Sequence, residues 1–325
     1  MSKALLATNT DGYRVSLTDV PDSDLKGDVL IDVAYSSLNY KDALAVTGRG
    51  KIVRRFPMVL GIDLAGTVVE SSSPDFKAGE RVLAVGQGLG ETEWGGYAQR
   101  QRVSAGALVP LPDGMSLEQS MQIGTAGFTA MLCVLALVRN NVQPGEREVI
   151  VTGAAGGVGS VAVMILAGRG YGVAASTGRT ELEPYLRELG ATSIVPRDEL
   201  AKPGAPMQSE RWAGGVDSVG GTTLANVFAQ TSYGGAVASC GMAGGHELQT
   251  TVWPLILRNV SLLGVSSIRT PKRERIEAWT ALARELDERK LAVLARTEPL
   301  TRIHELSEQI LGGKVKGRIV IDVNR

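Results

Sequence analysis

Cysteine and histidine are scarce in this chain of 325 residues, with two of each. Cys133 and Cys240 lie inside apolar runs, and two cysteines cannot build a disulfide framework, so a reducing compartment fits. The same scarcity excludes a structural zinc site, which needs about four thiolate or imidazole ligands. His246 sits in a glycine turn, MAGGHEL, and His304 in a charged helical stretch; both are isolated and read as solvated side chains. No G-x-S-x-G elbow or Cys/His nucleophile pairing is present. Net charge is missing too. Lysine plus arginine and aspartate plus glutamate stand at 34 each, so no large field draws nucleic acid or an anionic membrane, and binding must come from local sites. The start, MSKALLATNT, has one basic residue and an apolar run too short for a signal peptide, which gives a cytoplasmic expectation. Two uncharged windows of 20 residues, Gln119–Val138 and Val149–Gly168, are long enough to span a membrane. The first opens with Gln119, Ser120, Gln122 and Thr125, and the second carries five glycines, so they read as a buried helix and a buried strand-turn-helix.

What is abundant is glycine, 40 residues or about 12% against a usual share of roughly 7%, which suits many tight strand-to-helix turns. The first 120 or so residues read as short strands, Val29–Tyr35, Gly66–Glu70 and Arg81–Val85, separated by SSSPDFKAGE and GQGLGETEWGG. From about Met121 a long apolar helix leads into apolar strands alternating with helices: Glu148–Thr152, Gly172–Ser176, Ser193–Pro196, Val216–Val219, Ala236–Ser239 and Leu262–Val265. Continuous apolar strands between helices imply a parallel sheet covered on both faces, so the fold class is α/β, a doubly wound sheet joined to a β-rich domain. After Pro271, KRERIEAWTALARELDERK spaces Ile276, Trp279, Leu282, Ala283 and Leu286 as a surface helix. The tail GKVKGRIVIDV alternates like a strand and is expected to return to the β-rich domain.

The strongest motif is EVIVTGAAGGVGSVAVMILAGRGYGVAAS. A strand runs into Gly153-Ala154-Ala155-Gly156-Gly157-Val158-Gly159 and then into an apolar helix. Gly156 lets the backbone approach a pyrophosphate, Gly159 lets the helix pack on the sheet, and the helix N-terminus offers amide donors; the first glycine of G-x-G-x-x-G is here Ala154. A glycine turn alone also serves packing, but strand, helix and second strand at this spacing point to a dinucleotide. At the end of the second strand an NAD site carries Asp or Glu for the ribose 2′-hydroxyl, whereas this chain reads Ala175-Ser176-Thr177-Gly178-Arg179. The hydroxyls of Ser176 and Thr177 and the guanidinium of Arg179, with Arg197 at the next strand end, suit a 2′-phosphate, so the expected cofactor is NADPH.

The chain resembles the medium-chain dehydrogenase/reductase superfamily along essentially its whole length. It is most similar to the zinc-independent quinone oxidoreductase-like branch and, within it, to NADPH-dependent acryloyl-CoA reductases. The stretches that carry this are SLNYKDALAVTGRGKIVRRFPMVLGIDLAGTV, WGGYAQ, IGTAGFTAMLCVLAL and LILRNV. The resemblance implies a GroES-like catalytic domain over 1–121 and 268–325 and a Rossmann domain over 122–267. It implies that Asn39 stands where zinc-containing relatives have a cysteine ligand, and that Gly61-Ile62-Asp63 replaces their Gly-His-Glu. It also implies that Tyr40, Ala155, Gly156, Gly157, Val158, Thr177, Gly178, Arg179, Arg197, Met242, Ile256, Ser267 and Asn324 line the cofactor site.

Reduction of an activated alkene needs a hydride at the β-carbon, charge stabilisation at the carbonyl oxygen and a proton at the α-carbon. Tyr40, in SSLNYKDAL, is the candidate catalytic donor, to substrate or nicotinamide ribose; the alternative is a ring whose hydroxyl caps a loop. Asn39 and Asp42 read as alternative turn and helix-cap residues, Asp42 above all because DALAV follows it, and Lys41 either meets a phosphate of a CoA ester or faces water. The expected reaction is reduction of a short enoyl-CoA without metal. Its rivals are a quinone or enone reductase on the same fold and a protein that binds NADPH without turnover. The apolar edge strand Ser261–Val265 suggests a homodimer.

Overall fold

The computed structural model describes all 325 residues, which divide into two compact units. The first comprises Met1–Thr125, Ile268–Ala283 and Leu291–Arg325, and the second Ala126–Ser267 and Arg284–Lys290.

The first unit opens with β1 (Ser2–Thr8), β2 (Arg14–Val20) and β3 (Val29–Leu38), followed by α1 (Tyr40–Thr47). It continues through β4 (Met58–Val59), β5 (Asp63–Ser71), β6 (Arg81–Val85), β7 (Arg100–Val103) and β8 (Val109–Pro110). The ten residues of β3 serve two partners along one edge: Val29–Asp32 pair with β7, and Tyr35–Leu38 pair with a strand from the far C-terminus. The inward residues of these strands, among them Val29, Ile31, Val33, Leu64, Val82 and Ala84, build the core, together with the ring of Tyr97. Next comes α2 (Leu117–Arg139), whose helical path breaks at Gly124 (φ 52°, ψ −162°), and the chain enters the second unit directly afterwards. α2 is long and apolar enough to cross a membrane, but most of its apolar window is buried inside the protein, as the sequence suggests for Gln119–Val138.

The second unit runs β9 (Val149–Thr152), α3 (Gly157–Gly168), β10 (Val173–Thr177), α4 (Glu183–Leu189), β11 (Ser193–Pro196) and α5 (Asp198–Ala201). Then follow β12 (Trp212–Asp217), α6 (Gly221–Gln230), β13 (Thr231–Ser239), α7 (Trp253–Arg258) and β14 (Ser261–Gly264). The six strands are all parallel in the order β11-β10-β9-β12-β13-β14. Counted within the unit this is the 3-2-1-4-5-6 order of a Rossmann sheet, whose direction of winding reverses beside β9, where such folds bind ligands at the strand C-termini. The strand expected at Val216–Val219 begins four residues earlier, at Trp212, and stops at Asp217, because the chain turns at Gly220 (φ 75°). Gly214 and Gly215 hide the early part of β12 from a propensity reading.

The chain then forms α8 (Lys272–Glu285), α9 (Glu288–Leu294), β15 (Ala295–Pro299), α10 (Ile303–Leu311) and β16 (Arg318–Asp322). The helix expected to be a solvated surface element is more deeply embedded than its charge suggests. Arg275, Ala278, Trp279 and Leu282 form its buried face, and Arg275 donates to the carbonyls of Ala107 (2.8 Å) and Gly106 (2.6 Å), while Ile276 points outward. β16 pairs antiparallel with β3, Ile319 opposite Leu38 and Asp322 opposite Tyr35, so the C-terminus returns to the first unit.

Candidate active site

In the first unit the exit of β3 is held by a buried polar cluster. Asn39 is the N-cap of α1, with extended backbone (φ −113°, ψ 162°), and its side chain is buried. Its amide Nδ2 donates to Asp63 Oδ2 (2.9 Å) and Asp42 Oδ2 (3.0 Å), and its Oδ1 accepts from Arg318 Nη1 (3.1 Å). Asp42 is therefore not the cap but the third residue of the helix. Its carboxylate reaches back to the Asn39 N–H (2.9 Å) and also accepts from Ile62 N–H (2.9 Å), which ties the helix start to the loop before β5. Asp63 is wholly buried and accepts from Ser37 Oγ, from the Thr125 N–H (2.8 Å) and from the Thr125 hydroxyl. Arg318 closes the ring: Nη2 donates to Ser37 Oγ (2.8 Å) and Nε to the Gln122 carbonyl (3.2 Å).

Gly124 lies in the middle of this cluster. A Cβ there would stand 2.4 Å from Arg318 Nη2, 2.6 Å from Ser37 Oγ and 2.7 Å from Asp63 Oδ2, so the three polar groups close over a position only glycine can take. Two carboxylates and one guanidinium share a site out of water. Burial, and then the neighbouring Asp63 charge, push the Asp42 carboxyl up to about 7. Burial pulls Arg318 down while Asp63 and Asp42 act to hold it up, and Tyr97, which donates to the Ser37 carbonyl (3.1 Å), is raised by burial well above the ordinary phenol range. The cluster fixes the first turn of α1, and Tyr40 is the residue this turn displays. Its ring is 51% exposed and its hydroxyl has no partner within the chain. Lys41 is paired with Glu91 at 2.7 Å.

In the second unit the turn after β9 forms the expected loop. Gly153 takes the left-handed conformation (φ 60°), so the tight turn is made one residue before the motif position that Ala154 fills. A Cβ on Gly159 would lie 2.3 Å from the Gly153 carbonyl, which requires glycine where α3 meets the turn. Gly156 is the N-cap of α3 with no side chain over the helix end, and Gly156, Gly157 and Val158 are partly open to solvent while Ala155 is buried. Asp217, on the neighbouring strand end, accepts from Thr152 Oγ1 (2.7 Å) and from Gly220 N–H (2.8 Å), and its own burial raises its pKa.

β10 ends beside this loop: Ala154 N–H donates to the Ser176 carbonyl (3.0 Å). Ser176 and Thr177 are buried, Thr177 Oγ1 accepts the Arg179 N–H (3.1 Å), and Arg179 Nη2 donates to the Ala155 carbonyl (3.3 Å). Arg197 folds over Gly178, whose missing side chain makes the room: a Cβ would be 2.6 Å from the guanidinium carbon. Arg197 is exposed and has no carboxylate partner. The structure thus gathers Ala155–Val158, Ser176–Arg179 and Arg197 around one strand end. Met242 and Ser267 follow β13 and β14 and so lie toward the same C-terminal edge of the sheet, Met242 near Gly220. Ile256 stands on α7, 72% exposed. Asn324 belongs to the first unit, where its side chain donates to the Val33 carbonyl (3.2 Å).

Arg318, Gly124 and Asp217 were not legible as site residues. The only signals were a charged residue opening an apolar strand, RIVID, a glycine inside an apolar helix, IGTAG, and an acid closing another strand, WAGGVD.

A Rossmann sheet with an open glycine loop, in one chain with a β-rich unit whose strand exit carries a polar cluster, defines a nucleotide-dependent dehydrogenase or reductase of the medium-chain type. Residues 25–113 match the alcohol dehydrogenase GroES-like domain family, and residues 157–286 match the zinc-binding dehydrogenase family. The acrylyl-CoA reductase AcuI of Ruegeria pomeroyi is 50% identical over 312 residues, 96% of this chain and 93% of that protein. The yhdH oxidoreductase of Salmonella enterica, solved in complex with NADP, superposes with a TM-score of 0.96 at 50% identity over 98% of this chain and 99% of that one. The yhfP protein of Bacillus subtilis, solved with NAD bound, gives a TM-score of 0.94 at 41% identity over 99% of both chains. The chain belongs to the medium-chain dehydrogenase/reductase superfamily, in its quinone oxidoreductase-like branch with the acrylyl-CoA reductases.

Proposed function

We propose that this protein is an NADPH-dependent reductase of the carbon–carbon double bond of a short enoyl-CoA, acryloyl-CoA to propionyl-CoA. The observation that carries this is the strand end at Ser176–Arg179 with Arg197, which has hydroxyls and guanidinia where an NAD site has a carboxylate, in a chain half identical to an acrylyl-CoA reductase. The residues fit the cofactor: the bare N-cap at Gly156 leaves the amides of the first turn of α3 open to a pyrophosphate, and the Arg197 guanidinium beside Gly178 meets a 2′-phosphate. When bound, NADPH supplies the hydride for the β-carbon.

Ala155, Gly156, Gly157 and Val158 would hold the pyrophosphate. Ser176, Thr177, Gly178, Arg179 and Arg197 would hold the 2′-phosphorylated ribose, and the family resemblance adds Met242, Ile256 and Ser267 of the second unit and Tyr40 and Asn324 of the first as further cofactor residues. Tyr40 donates its hydroxyl proton in a hydrogen bond to the thioester carbonyl oxygen, where charge gathers as the double bond is reduced. What supports this role is an exposed ring, a hydroxyl without a protein partner and a helix start fixed by four buried polar residues. The catalytic domain corresponds to 1–121 with 268–325 and the Rossmann domain to 122–267. A homodimer paired along β14 is supported by the place of that strand at the sheet edge and by the exposed Val252, Trp253 and Leu257 on and before α7. A cytoplasmic location accords with two unpaired cysteines.

The test is NADPH oxidation in parallel with acryloyl-CoA, crotonyl-CoA and a small quinone. Highest kcat/KM with acryloyl-CoA supports the assignment; preference for the quinone overturns it, and tight NADPH binding without oxidation by any of them removes the enzyme reading.

A further inference from the structure

The loop from Gly48 to Pro57, GRGKIVRRFP, carries four cations and no carboxylate, in a chain whose charges balance as a whole. Two of the four are committed: Arg49 pairs with Glu308 at 2.8 Å and Arg55 with Glu93 at 2.6 Å. Lys51 and Arg54 are exposed and have no acidic partner. The loop that presents them is anchored. Ile52 and Val53 pack against the core of the first unit, Arg54 N–H donates to the Glu91 carbonyl (2.9 Å), and Arg55 Nε donates to the Thr92 carbonyl. Phe56, next in sequence, exposes its ring and meets Tyr13 edge-on at 5.9 Å.

Two unneutralised cations and an exposed aromatic ring within six residues of one anchored loop are the groups that recognise a phosphorylated nucleoside: the cations take phosphate oxygens and the ring offers a face to the base. Their place is apt as well. The loop leaves the C-terminal end of α1, and Tyr40 is the first residue of that helix, so about 12 Å of helix rise separates them. A CoA thioester has this form, a reactive acyl end and a charged nucleotide end joined by a long flexible arm.

We propose that Lys51 and Arg54, with Phe56 beside them, dock the 3′-phosphorylated ADP end of the CoA substrate. This rests on the enoyl-CoA reading above and adds the site that selects a CoA ester over an uncharged enone. Lys41 is unavailable for that task, since Glu91 neutralises it.

The experiment titrates adenosine 3′,5′-bisphosphate calorimetrically into the NADP⁺-saturated protein, as wild type, as Lys51→Gln/Arg54→Gln, and as Lys77→Gln, an exposed lysine elsewhere on the unit. Wild type and Lys77→Gln bind alike, and the double variant binds about tenfold more weakly or worse, with added salt weakening the wild type in the same direction. In steady state the KM for acryloyl-CoA rises in the double variant relative to that for acryloyl-pantetheine. No binding by wild type, or equal binding by wild type and double variant, overturns the docking site. The two failures are separable: bisphosphate binding without acryloyl-CoA reduction sinks the assigned reaction and keeps the site, whereas reduction with an unchanged KM ratio sinks the site and keeps the reaction.

Discussion

Replacing Arg197 by alanine removes the one guanidinium that lies over Gly178 without a carboxylate partner. A charge-assisted bond to a phosphate contributes about 1.5–3 kcal/mol. Arg197 is exposed, so the lower end applies, and NADPH affinity falls about tenfold. Removing Arg179 in addition takes away the second guanidinium at the same strand end, for about a hundredfold in all if the two act independently. Arg179 also donates to the Ala155 carbonyl, so the single Arg197→Ala variant is the cleaner one. The assay is fluorescence titration with NADPH and, separately, with NADH, supported by KM for each at saturating acryloyl-CoA. NADH lacks the 2′-phosphate, so its affinity stays near the wild-type value while that of NADPH drops. Equal losses for the two cofactors, or no loss for NADPH, would refute the assignment of Ser176–Arg179 and Arg197 to the 2′-phosphate.

Tyr40→Phe keeps the ring and deletes the hydroxyl, so kcat for acryloyl-CoA falls by about 10²-fold with intact folding, and wild-type kcat and KM would remove Tyr40 from chemistry and binding alike. Gly124→Ala forces a side chain at φ 52° into Arg318, Ser37 and Asp63; thermal unfolding should show a loss of roughly 2–4 kcal/mol, and an unchanged melting temperature would contradict the packing at the cluster. The raised Asp42 pKa gives a stability trend with a definite sign. The folded protein binds this proton more tightly than the unfolded chain, so its contribution is fully present below the unfolded value of 3.8 and is lost as pH rises through about 7. Wild type should therefore lose more stability than Asp42→Asn between pH 5 and pH 8, with denaturant melts at each pH as the check.

The parts of the fold written in local pattern were legible in the sequence. EVIVT and SIVP are continuous apolar runs bounded by turns, and the helix after GAAGGVG follows from the same stretch, so the doubly wound sheet could be read directly. The return of the tail was readable because RIVIDV can only be a strand in search of a partner, which proves to be β3. What escaped depends on distant residues. Of the two cap candidates, Asn39 and Asp42, the sequence favoured Asp42, but the cap is Asn39, and Asp42 serves it from the third helical position. Lys41 looked open because Glu91 is 50 residues away in sequence. Arg318 reaches Asn39 across 279 residues, and no periodicity or spacing announces such a contact. On α8 the helical spacing already marked Trp279 and Leu282, but the burial of Arg275 was not legible, because its partners are the carbonyls of Gly106 and Ala107, far away in sequence.

The most direct measurement follows the hydride itself, using NADPH carrying deuterium at both positions of nicotinamide C4, acryloyl-CoA and mass and NMR analysis of the product. Transfer of one deuterium to the β-carbon of propionyl-CoA, with the α-proton taken from solvent, is the required result. Unlabelled product, or no propionyl-CoA while a quinone is reduced under the same conditions, would contradict the assigned reaction.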